Sequence, residues 1–180
     1  MFSVRVLVTG SQGQIGRAVL ESVPDGVTAI GLSHRELDIA DAAAVMDCVE
    51  KDRPEVIVNA AAYTAVDAAE RESSAAASVN ARGPACLAAA AAHCEARLLH
   101  LSTDFVFDGL SSSPYRPDSP THPLSAYGAT KREGEEAVLR ALPHRSVVLR
   151  TAWVYARSGR NFVNTMLRLM AADGVVRVVS

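Results

Sequence analysis

A regular alternation of short apolar segments with helical segments constrains the fold of this 180-residue chain more than any other feature. The apolar segments are rich in β-branched residues, which is typical of buried strands, and they are residues 4–8, 27–32, 55–59, 97–102, 146–150 and 175–179. Helices are predicted over residues 13–22, 41–52, 67–71, 78–94, 125–142 and 162–172. This alternation predicts an α/β fold of the Rossmann type, a doubly wound and mostly parallel sheet with helices on both faces.

The composition fits one globular domain over residues 1–180. The chain is 49% hydrophobic and 21% charged, with a net charge of −2, so we expect neither a nucleic-acid surface nor an acidic tail. Its apolar stretches are much shorter than the roughly 20 residues of a membrane span, and the N-terminus opens directly as a strand. The three cysteines lack C-x-x-C spacing. We therefore expect a cytoplasmic protein with no membrane partner and no metal site.

Three glycines have the spacing G-x-x-G-x-x-G between the first predicted strand and the first predicted helix. Gly10 would allow the tight turn, Gly13 would let the backbone approach a pyrophosphate, and Gly16 would let the helix pack close to the strand. The helix N-terminus would offer free N–H groups and a positive dipole end to the phosphates. This placement predicts dinucleotide binding, and the alternative is a glycine-rich turn without a ligand.

The residues that follow the second predicted strand bear on the choice of dinucleotide. A carboxylate at this point would bind a ribose 2′-hydroxyl and favour NAD. The chain instead has Ser33-His34-Arg35, with no acid until Glu36. A hydroxyl and a cation suit a 2′-phosphate, so NADPH is preferred over NADH. The alternative is that Arg35 is a solvated loop residue.

Tyr127 and Lys131 are spaced four residues apart on a predicted helix and therefore share one face. An ammonium beside a phenol favours the phenolate, so we expect Lys131 to lower the pKa of Tyr127 towards neutrality. Such a tyrosine can donate a proton to a carbonyl oxygen while a hydride arrives at the carbon. Ser102-Thr103-Asp104 lies at the end of the fourth predicted strand, and a hydroxyl from that strand end could hydrogen-bond the same oxygen. The order of these elements resembles that in the short-chain dehydrogenase/reductase superfamily.

A long irregular segment, residues 108–123, is rich in Ser and Pro. Loops of this length inside compact domains are usually either functional or disordered.

Four stretches together resemble one member family, the dTDP-4-dehydrorhamnose reductases. They are residues 56–67 (VIVNAAAYTAVD), 101–109 (LSTDFVFDG), 127–131 (YGATK) and 150–155 (RTAWVY). The resemblance runs from residue 4 to residue 180. It implies reduction of the 4-keto group of dTDP-4-dehydro-L-rhamnose to give dTDP-L-rhamnose, with NADPH or NADH as cofactor. A nucleotide sugar is thus the expected partner, and a homodimer is a further expectation.

The resemblance also implies roles for individual residues. Those of the catalytic group are Thr103, Tyr127 and Lys131. The residues that the resemblance places in contact with the dinucleotide are Gly13, Gln14, Ile15, Asp38, Ile39, Ala61, Ala62, Tyr63, Leu101, Tyr127 and Lys131. The arguments above add Gly10, Gly16, Ser33 and Arg35 to this cofactor-binding set. Those that face the sugar are Thr103, Asp104 and Trp153. For Trp153 the alternative is core packing, and for Asp104 it is a strand-end cap.

The family continues beyond the point that corresponds to residue 180, with a region that builds much of the nucleotide-sugar pocket. We therefore expect residues 1–180 to be the dinucleotide-binding and catalytic portion without that region. Two other functions stay open. One is a nucleotide-sugar epimerase or dehydratase of the same superfamily, although Asp104-Phe105 lacks the Asp-Glu pair typical of the dehydratases. The other is a non-catalytic NADP-binding protein, which the regulatory subunit of methionine adenosyltransferase exemplifies.

Overall fold

The protein is built on a single five-stranded parallel sheet in the part of the chain that the structure, a computed structural model, describes: residues 3–157, 159 and 161–173. The strands are β1 Val4–Thr9, β2 Val27–Leu32, β3 Val56–Asn59, β4 Arg97–Thr103 and β5 Ser146–Thr151. Their order is β2-β1-β3-β4-β5, and every neighbouring pair is parallel. The predicted α/β fold is confirmed, while the sixth predicted strand, residues 175–179, lies outside the described residues.

The helices follow the predicted alternation, with one difference. They are α1 Gln14–Glu21, α2 Ala42–Asp52, α3 Val66–Ala69, α4 Ser73–Ala77, α5 Gly83–His93, α6 Ala126–Ala141 and α7 Phe162–Asp173, with a 3₁₀ turn at Asp104–Val106. The predicted helix over residues 78–94 in fact continues from α4 through a π-helical turn, Ser78–Arg82, into α5. Pro84 has no N–H for the carbonyl of Asn80, so a regular α-helical turn cannot close there.

The core lies between the sheet and the layer of α2, α5 and α6. Leu7, Ile57 and Leu98 pair across β1, β3 and β4, and all three are buried against this layer with Leu87 and Val138. The direction in which successive strands are added to the sheet reverses at β1, because β2 lies on one side of β1 and β3 lies on the other. Right-handed crossovers therefore place α1 on the face of the sheet opposite to α2, α5 and α6. This reversal leaves a crevice at the carboxyl ends of β1 and β3.

The long segment after β4 is held in place by contacts with β5 and α6. Arg150 on β5 binds both carboxylate oxygens of the buried Glu135, at 2.9 and 2.7 Å, and also donates to the carbonyl of Pro117. The guanidinium lies 5.0 Å from the centre of the Phe107 ring, which stacks on Tyr115. These contacts attach the segment to β5 in this structure.

The face of β5 that points away from α6 is open in the described structure. Val147 is 59% exposed and Leu149 is 49% exposed, and Leu167 and Met170 on α7 are exposed as well. Apolar side chains at alternating positions of an edge strand are normally covered. None of the helices within the described ranges is both long and apolar enough to cross a membrane.

Candidate active site

The predicted site residues converge at one edge of the sheet, where the parallel strands end. Gly10 follows β1, Ser33 follows β2, and Ala61 lies two residues after β3. Thr103 ends β4 and pairs with Thr151 at the end of β5. Residues far apart in sequence therefore meet around the crevice between β1 and β3.

The glycine loop has the geometry that a pyrophosphate needs. Gly10 adopts a φ of +69°, and a Cβ on Gly16 would lie 2.3 Å from the carbonyl oxygen of Gly10. Gly13 is the N-cap of α1, and no side chain of the described residues caps that helix. The first-turn N–H groups of α1 thus remain available to an anion, and this open helix N-terminus fits a dinucleotide phosphate.

A groove of about 350 Å³ begins at this loop and continues along the ends of β2 and β3. Eight predicted cofactor residues line it: Gly10, Gly13, Ser33, Asp38, Ile39, Ala61, Ala62 and Tyr63. Five residues that sequence reasoning missed also line it: Gln12, His34, Leu37, Ala60 and Val79. All except Val79 are next to a predicted residue in the sequence, so including the immediate sequence neighbours of the predicted residues would have found them.

Some predicted cofactor residues do not line this groove. Gln14, Ile15 and Gly16 lie in the first turn of α1, and Leu101, Tyr127 and Lys131 lie on β4 and α6. Arg35 is exposed and does not line the groove either.

A carboxylate lies at the end of β2 after all. The Ser33 hydroxyl and the Ser33 N–H both donate to Glu36, at 2.7 and 2.8 Å. These hydrogen bonds, the one from the hydroxyl first, lower the pKa of Glu36, so it is ionised at neutral pH. The turn after β2 brings Glu36 back to Ser33, which spacing alone did not predict. The Ser33 hydroxyl, which the sequence offered to a 2′-phosphate, is thus bound to Glu36 in this structure.

Lys131 reaches from α6 into the interior of the protein. Its side chain is 2% exposed, and Nζ donates to the backbone carbonyl of Leu101 at 2.7 Å. Burial lowers the pKa of Lys131 to about 8, against the opposing effect of Glu135. The ammonium is therefore still largely charged at neutral pH.

The half-buried Tyr127 phenol has a different environment from the one predicted. Burial is the largest effect and raises the pKa of Tyr127, the neighbouring Thr103 hydroxyl lowers it, and the charge of Asp104 raises it. The expected lowering by Lys131 towards neutrality is wrong for this structure, because the Lys131 ammonium is bound to Leu101 and burial dominates at the phenol. Tyr127 thus keeps its proton at neutral pH and can act as an acid.

Thr103 serves two purposes at the end of β4. Its hydroxyl accepts from the N–H of Phe105 and donates to Asp104, both at 3.2 Å, so it caps the 3₁₀ turn. The Phe105 ring in turn packs edge-on against Tyr127, 5.6 Å between centroids. The cap therefore places Thr103 and Tyr127 side by side.

Trp153 and Asp104 are both exposed near this edge. Trp153 is 77% exposed, has a φ of +54° and packs edge-on against Phe162. Within the described residues, Trp153 is therefore not part of the packed core. Asp104 accepts from Thr103, but the cap of the turn is Thr103 itself.

Asn80 is a residue of the site that sequence reasoning missed. Its fully buried side chain accepts from the Tyr63 N–H at 2.9 Å and donates to the Tyr63 carbonyl at 3.0 Å. It also lies 3.3 Å from the Thr130 hydroxyl on α6. Asn80 thus joins the groove-lining segment after β3 to the helix that carries Tyr127 and Lys131. The feature of the sequence that could have revealed Asn80 is its single amide side chain within an Ala-rich helix.

We expect Asn80→Ala to destabilise the protein by about 2–4 kcal/mol and to weaken dinucleotide binding, because it leaves both backbone groups of Tyr63 without partners. Urea unfolding and calorimetric titration with NADPH measure the two effects. Asn80→Asp serves as the control, since it keeps the acceptor for the Tyr63 N–H. Unchanged stability in Asn80→Ala contradicts the assigned contacts.

A second cavity, of about 500 Å³, lies at the opposite edge of the sheet between Arg5, Arg53 and Arg97. The C-termini of α2 and α5 point towards it, which disfavours an anion there. Within the described ranges, no group of three His, Cys, Asp or Glu side chains is arranged to hold a metal ion.

Comparison with known proteins gives a consistent family assignment. The family model described as RmlD substrate binding domain matches residues 4–180. A dTDP-4-dehydrorhamnose reductase of Streptomyces griseus is 50% identical over 97% of this chain and 58% of its own length. A probable dTDP-4,6-dihydroxy-2-methyloxan-3-one 4-ketoreductase of Streptomyces antibioticus is 46% identical over 98% of this chain and 60% of its own length.

Solved structures agree with the sequence comparison. The dTDP-4-dehydrorhamnose reductase of Bacillus anthracis, in complex with NADP, superposes with a TM-score of 0.91 and is 36% identical. The match covers 94% of this chain and 60% of that protein. The chain therefore spans about three fifths of the length of the relatives that it matches.

Proposed function

Because this chain belongs to the RmlD substrate binding domain family, we propose that it is the dinucleotide-binding and catalytic portion of an NADPH- or NADH-dependent reductase. The reaction is reduction of the 4-keto group of dTDP-4-dehydro-L-rhamnose to give dTDP-L-rhamnose. The observation that carries this proposal is the meeting of the glycine loop with Thr103, Tyr127 and Lys131 at one edge of the sheet.

Cofactor binding is assigned to the groove and to the open N-terminus of α1. The phosphates would bind the first-turn N–H groups of Gln14, Ile15 and Gly16, and the adenine would lie against Asp38 and Ile39. The neighbour in complex with NADP, similar to this chain over 94% of its length, supports this assignment.

The reduction adds a hydride to the carbonyl carbon of the sugar and a proton to its oxygen. A dihydronicotinamide, when bound, supplies the hydride. Tyr127 supplies the proton, which its raised pKa keeps on the phenol at neutral pH. The single proton of the Thr103 hydroxyl, which is donated to Asp104 in this structure, would turn to the same sugar oxygen when the substrate binds. Solvent returns the proton to Tyr127 after each turnover.

Lys131 holds a positive charge close to the reacting groups. The Leu101 carbonyl anchors the ammonium from inside the sheet, which leaves further N–H groups for a ribose hydroxyl. A buried charge of this kind stabilises the developing negative charge on the sugar oxygen more than a solvated one would.

The sugar side of the site is assigned to Thr103, Asp104 and Trp153. Trp153 presents an exposed indole beyond the end of β5, which suits contact with the apolar face of a sugar ring. We assign residues 1–180 to the dinucleotide-binding domain and propose that a segment corresponding to the remaining two fifths of the relatives completes the pocket. The association state that we propose is a homodimer.

One other substrate is favoured by a specific observation. The Streptomyces antibioticus relative carries the name of a 4-ketoreductase for a different dTDP-linked sugar. A second 4-keto sugar linked to dTDP is therefore the alternative, with the same residues in the same roles. The intact set of Thr103, Tyr127 and Lys131 favours catalysis over a purely regulatory NADP-binding role.

A coupled assay tests the proposed function. dTDP-4-dehydro-L-rhamnose is generated in situ, and consumption of NADPH or NADH is followed by absorbance at saturating protein. Oxidation of the cofactor with formation of dTDP-L-rhamnose supports the proposal. Tight cofactor binding with no reduction of any dTDP-linked 4-keto sugar, even by the extended protein, supports the regulatory role instead.

Glu36 is expected to set the ratio of NADH to NADPH affinity. Its carboxylate accepts from both donors of Ser33, which lines the groove. We expect Glu36→Gln to raise the affinity for NADPH a few-fold while changing that for NADH little, because only NADPH carries the extra negative charges. Calorimetric titration with each cofactor gives the ratio.

Arg35→Ala is the matched control for this prediction, because Arg35, like Glu36, is exposed and does not line the groove, but within the described residues it makes no hydrogen bond to Ser33. It should leave the ratio of affinities almost unchanged. A large loss of NADPH affinity in Arg35→Ala, with no effect of Glu36→Gln, would show that the Arg35 side chain and not Glu36 sets the ratio of NADH to NADPH affinity.

A further inference from the structure

Three polar side chains form a row across the sheet below the site. Thr9, Asn59 and His100 occupy paired positions of β1, β3 and β4, so their side chains lie on the same face of the sheet. All three are buried, and His100 is 0% exposed. The proposed reaction gives His100 no part, although a buried imidazole without a purpose is costly.

The hydrogen bonds of this row determine which nitrogen of His100 carries the proton. The Ala61 N–H and the Thr9 hydroxyl both donate to Asn59 Oδ1, at 3.2 and 2.8 Å. A backbone N–H can only donate, so this amide atom is the oxygen and Asn59 Nδ2 faces His100 Nδ1 at 3.0 Å. Nδ1 therefore accepts, and the neutral ring carries its proton on Nε2.

Two buried polar atoms next to this row have no hydrogen-bond partner among the described residues. They are His100 Nε2 and Ser102 Oγ. His100 and Ser102 are two residues apart on β4 and point to the same face, towards α6. Lys131 reaches this strand from α6, and of its three N–H groups one donates to Leu101.

We propose that His100 is a positioning residue whose Nε2–H, together with Ser102 Oγ, holds a buried water molecule against the Lys131 ammonium. The water accepts from His100 Nε2 and from Lys131 Nζ, and donates to Ser102 Oγ. This arrangement satisfies both orphaned atoms and gives the ammonium a second acceptor inside the protein. The row from Thr9 to His100 thereby connects the strand before the glycine loop to the position of Lys131.

The charges around Lys131 are consistent with a neutral partner at this place. Glu135, one turn along α6, raises the pKa of Lys131 but is itself paired with Arg150 of β5. Tyr127 lies one turn earlier and stays protonated. Burial first, and the Lys131 charge second, lower the pKa of His100 to about 3, so the imidazole adds no competing positive charge.

The inference concerns the same site as the proposed function and rests on it only for the consequence in catalysis. The water and the tautomer are measurable on this chain without a sugar or a dinucleotide. Failure of sugar reduction would thus leave the inference standing, and failure of the inference would leave the proposed reductase standing.

The tautomer is tested first, by ¹⁵N NMR of the five imidazoles. We expect His100 to show a protonated Nε2 and an unprotonated Nδ1 at every pH from 8 down to about 4, taken as above its lowered pKa. Asn59→Asp replaces the donor by an acceptor and should move the proton to Nδ1. A wild-type ring with its proton on Nδ1 overturns the assignment.

The water is tested through the pKa of Lys131. The sequence contains two lysines, Lys51 and Lys131, so ¹³C NMR of their Cε atoms resolves both, with the exposed Lys51 as internal control. We expect His100→Leu to increase the acid dissociation constant of Lys131 about tenfold, because the buried ammonium loses an acceptor. His100→Gln keeps an N–H near the position of Nε2, so the acid dissociation constant of Lys131 should return most of the way to its wild-type value.

Ser102→Ala gives a second and milder perturbation should His100→Leu fold poorly. It should shift the pKa of Lys131 in the same direction as His100→Leu does. Circular dichroism checks that each variant is folded. A crystal structure showing water within hydrogen-bond distance of His100 Nε2, Ser102 Oγ and Lys131 Nζ supports the proposal. The proposal is overturned if the pKa of Lys131 is unchanged in His100→Leu and Ser102→Ala, or if His100→Gln does not restore the wild-type pKa.

Discussion

Tyr127→Phe is expected to reduce sugar reduction by about a hundredfold to ten-thousandfold, the range that general acid catalysis contributes, while dinucleotide affinity stays almost unchanged. The phenol donates its proton in the transition state and contributes little to ground-state binding. The ring itself stays in place, because its edge-on contact with Phe105 does not involve the hydroxyl. The protein extended by the region that its relatives possess is the right background, since we propose that this region completes the pocket.

Two measurements separate the effects of this substitution. Steady-state kinetics in the coupled assay give kcat, and calorimetric titration gives the dissociation constant for NADPH. Lys131→Ala is the matched comparison, and it should damage both quantities, because the ammonium is anchored at Leu101 beside the cofactor-binding edge. Equal losses of cofactor affinity in the two variants contradict this division of roles.

The second large effect concerns the length of the chain. Residues 1–180 alone should fold and bind NADPH, but should turn over the sugar at least about a hundredfold more slowly than a version extended by the region of its relatives. The sheet, the glycine loop and the groove all lie within the described residues. The side that we propose for the sugar, in contrast, is open around Trp153, as is the face of β5 that carries Val147 and Leu149.

The physical reason is that an open pocket holds the sugar loosely. A displacement of the reacting atoms by about 1 Å can cost on the order of a hundredfold in rate. Water also weakens the electrostatic contribution of Thr103 and Tyr127 to the transition state. The measurement is kcat/KM of both versions under identical conditions, with NADPH affinity as the control that should be similar. Equal turnover would show that the 180 residues already form a complete pocket.

The sequence by itself predicted the fold, and it predicted that the candidate site residues meet at one edge of the sheet. The alternation of strands and helices and the spacing of Gly10, Gly13 and Gly16 are local patterns that periodicity and backbone sterics specify directly. Parallel strands then bring their carboxyl ends to one edge, so Thr103, Tyr127 and the glycine loop could be placed together in advance. The strand boundaries agree with the structure to within one residue for all five described strands.

Only the tertiary structure decided how these groups behave. The turn after β2 returns Glu36 to Ser33, and Pro84 opens the π-helical turn from which Asn80 reaches Tyr63. Burial, which depends on every element packed around α6, raises the pKa of Tyr127, although the spacing of Tyr127 and Lys131 had predicted the opposite. Hydrogen-bond partners and desolvation are properties of assembled neighbours from distant parts of the chain, so no local pattern contains them.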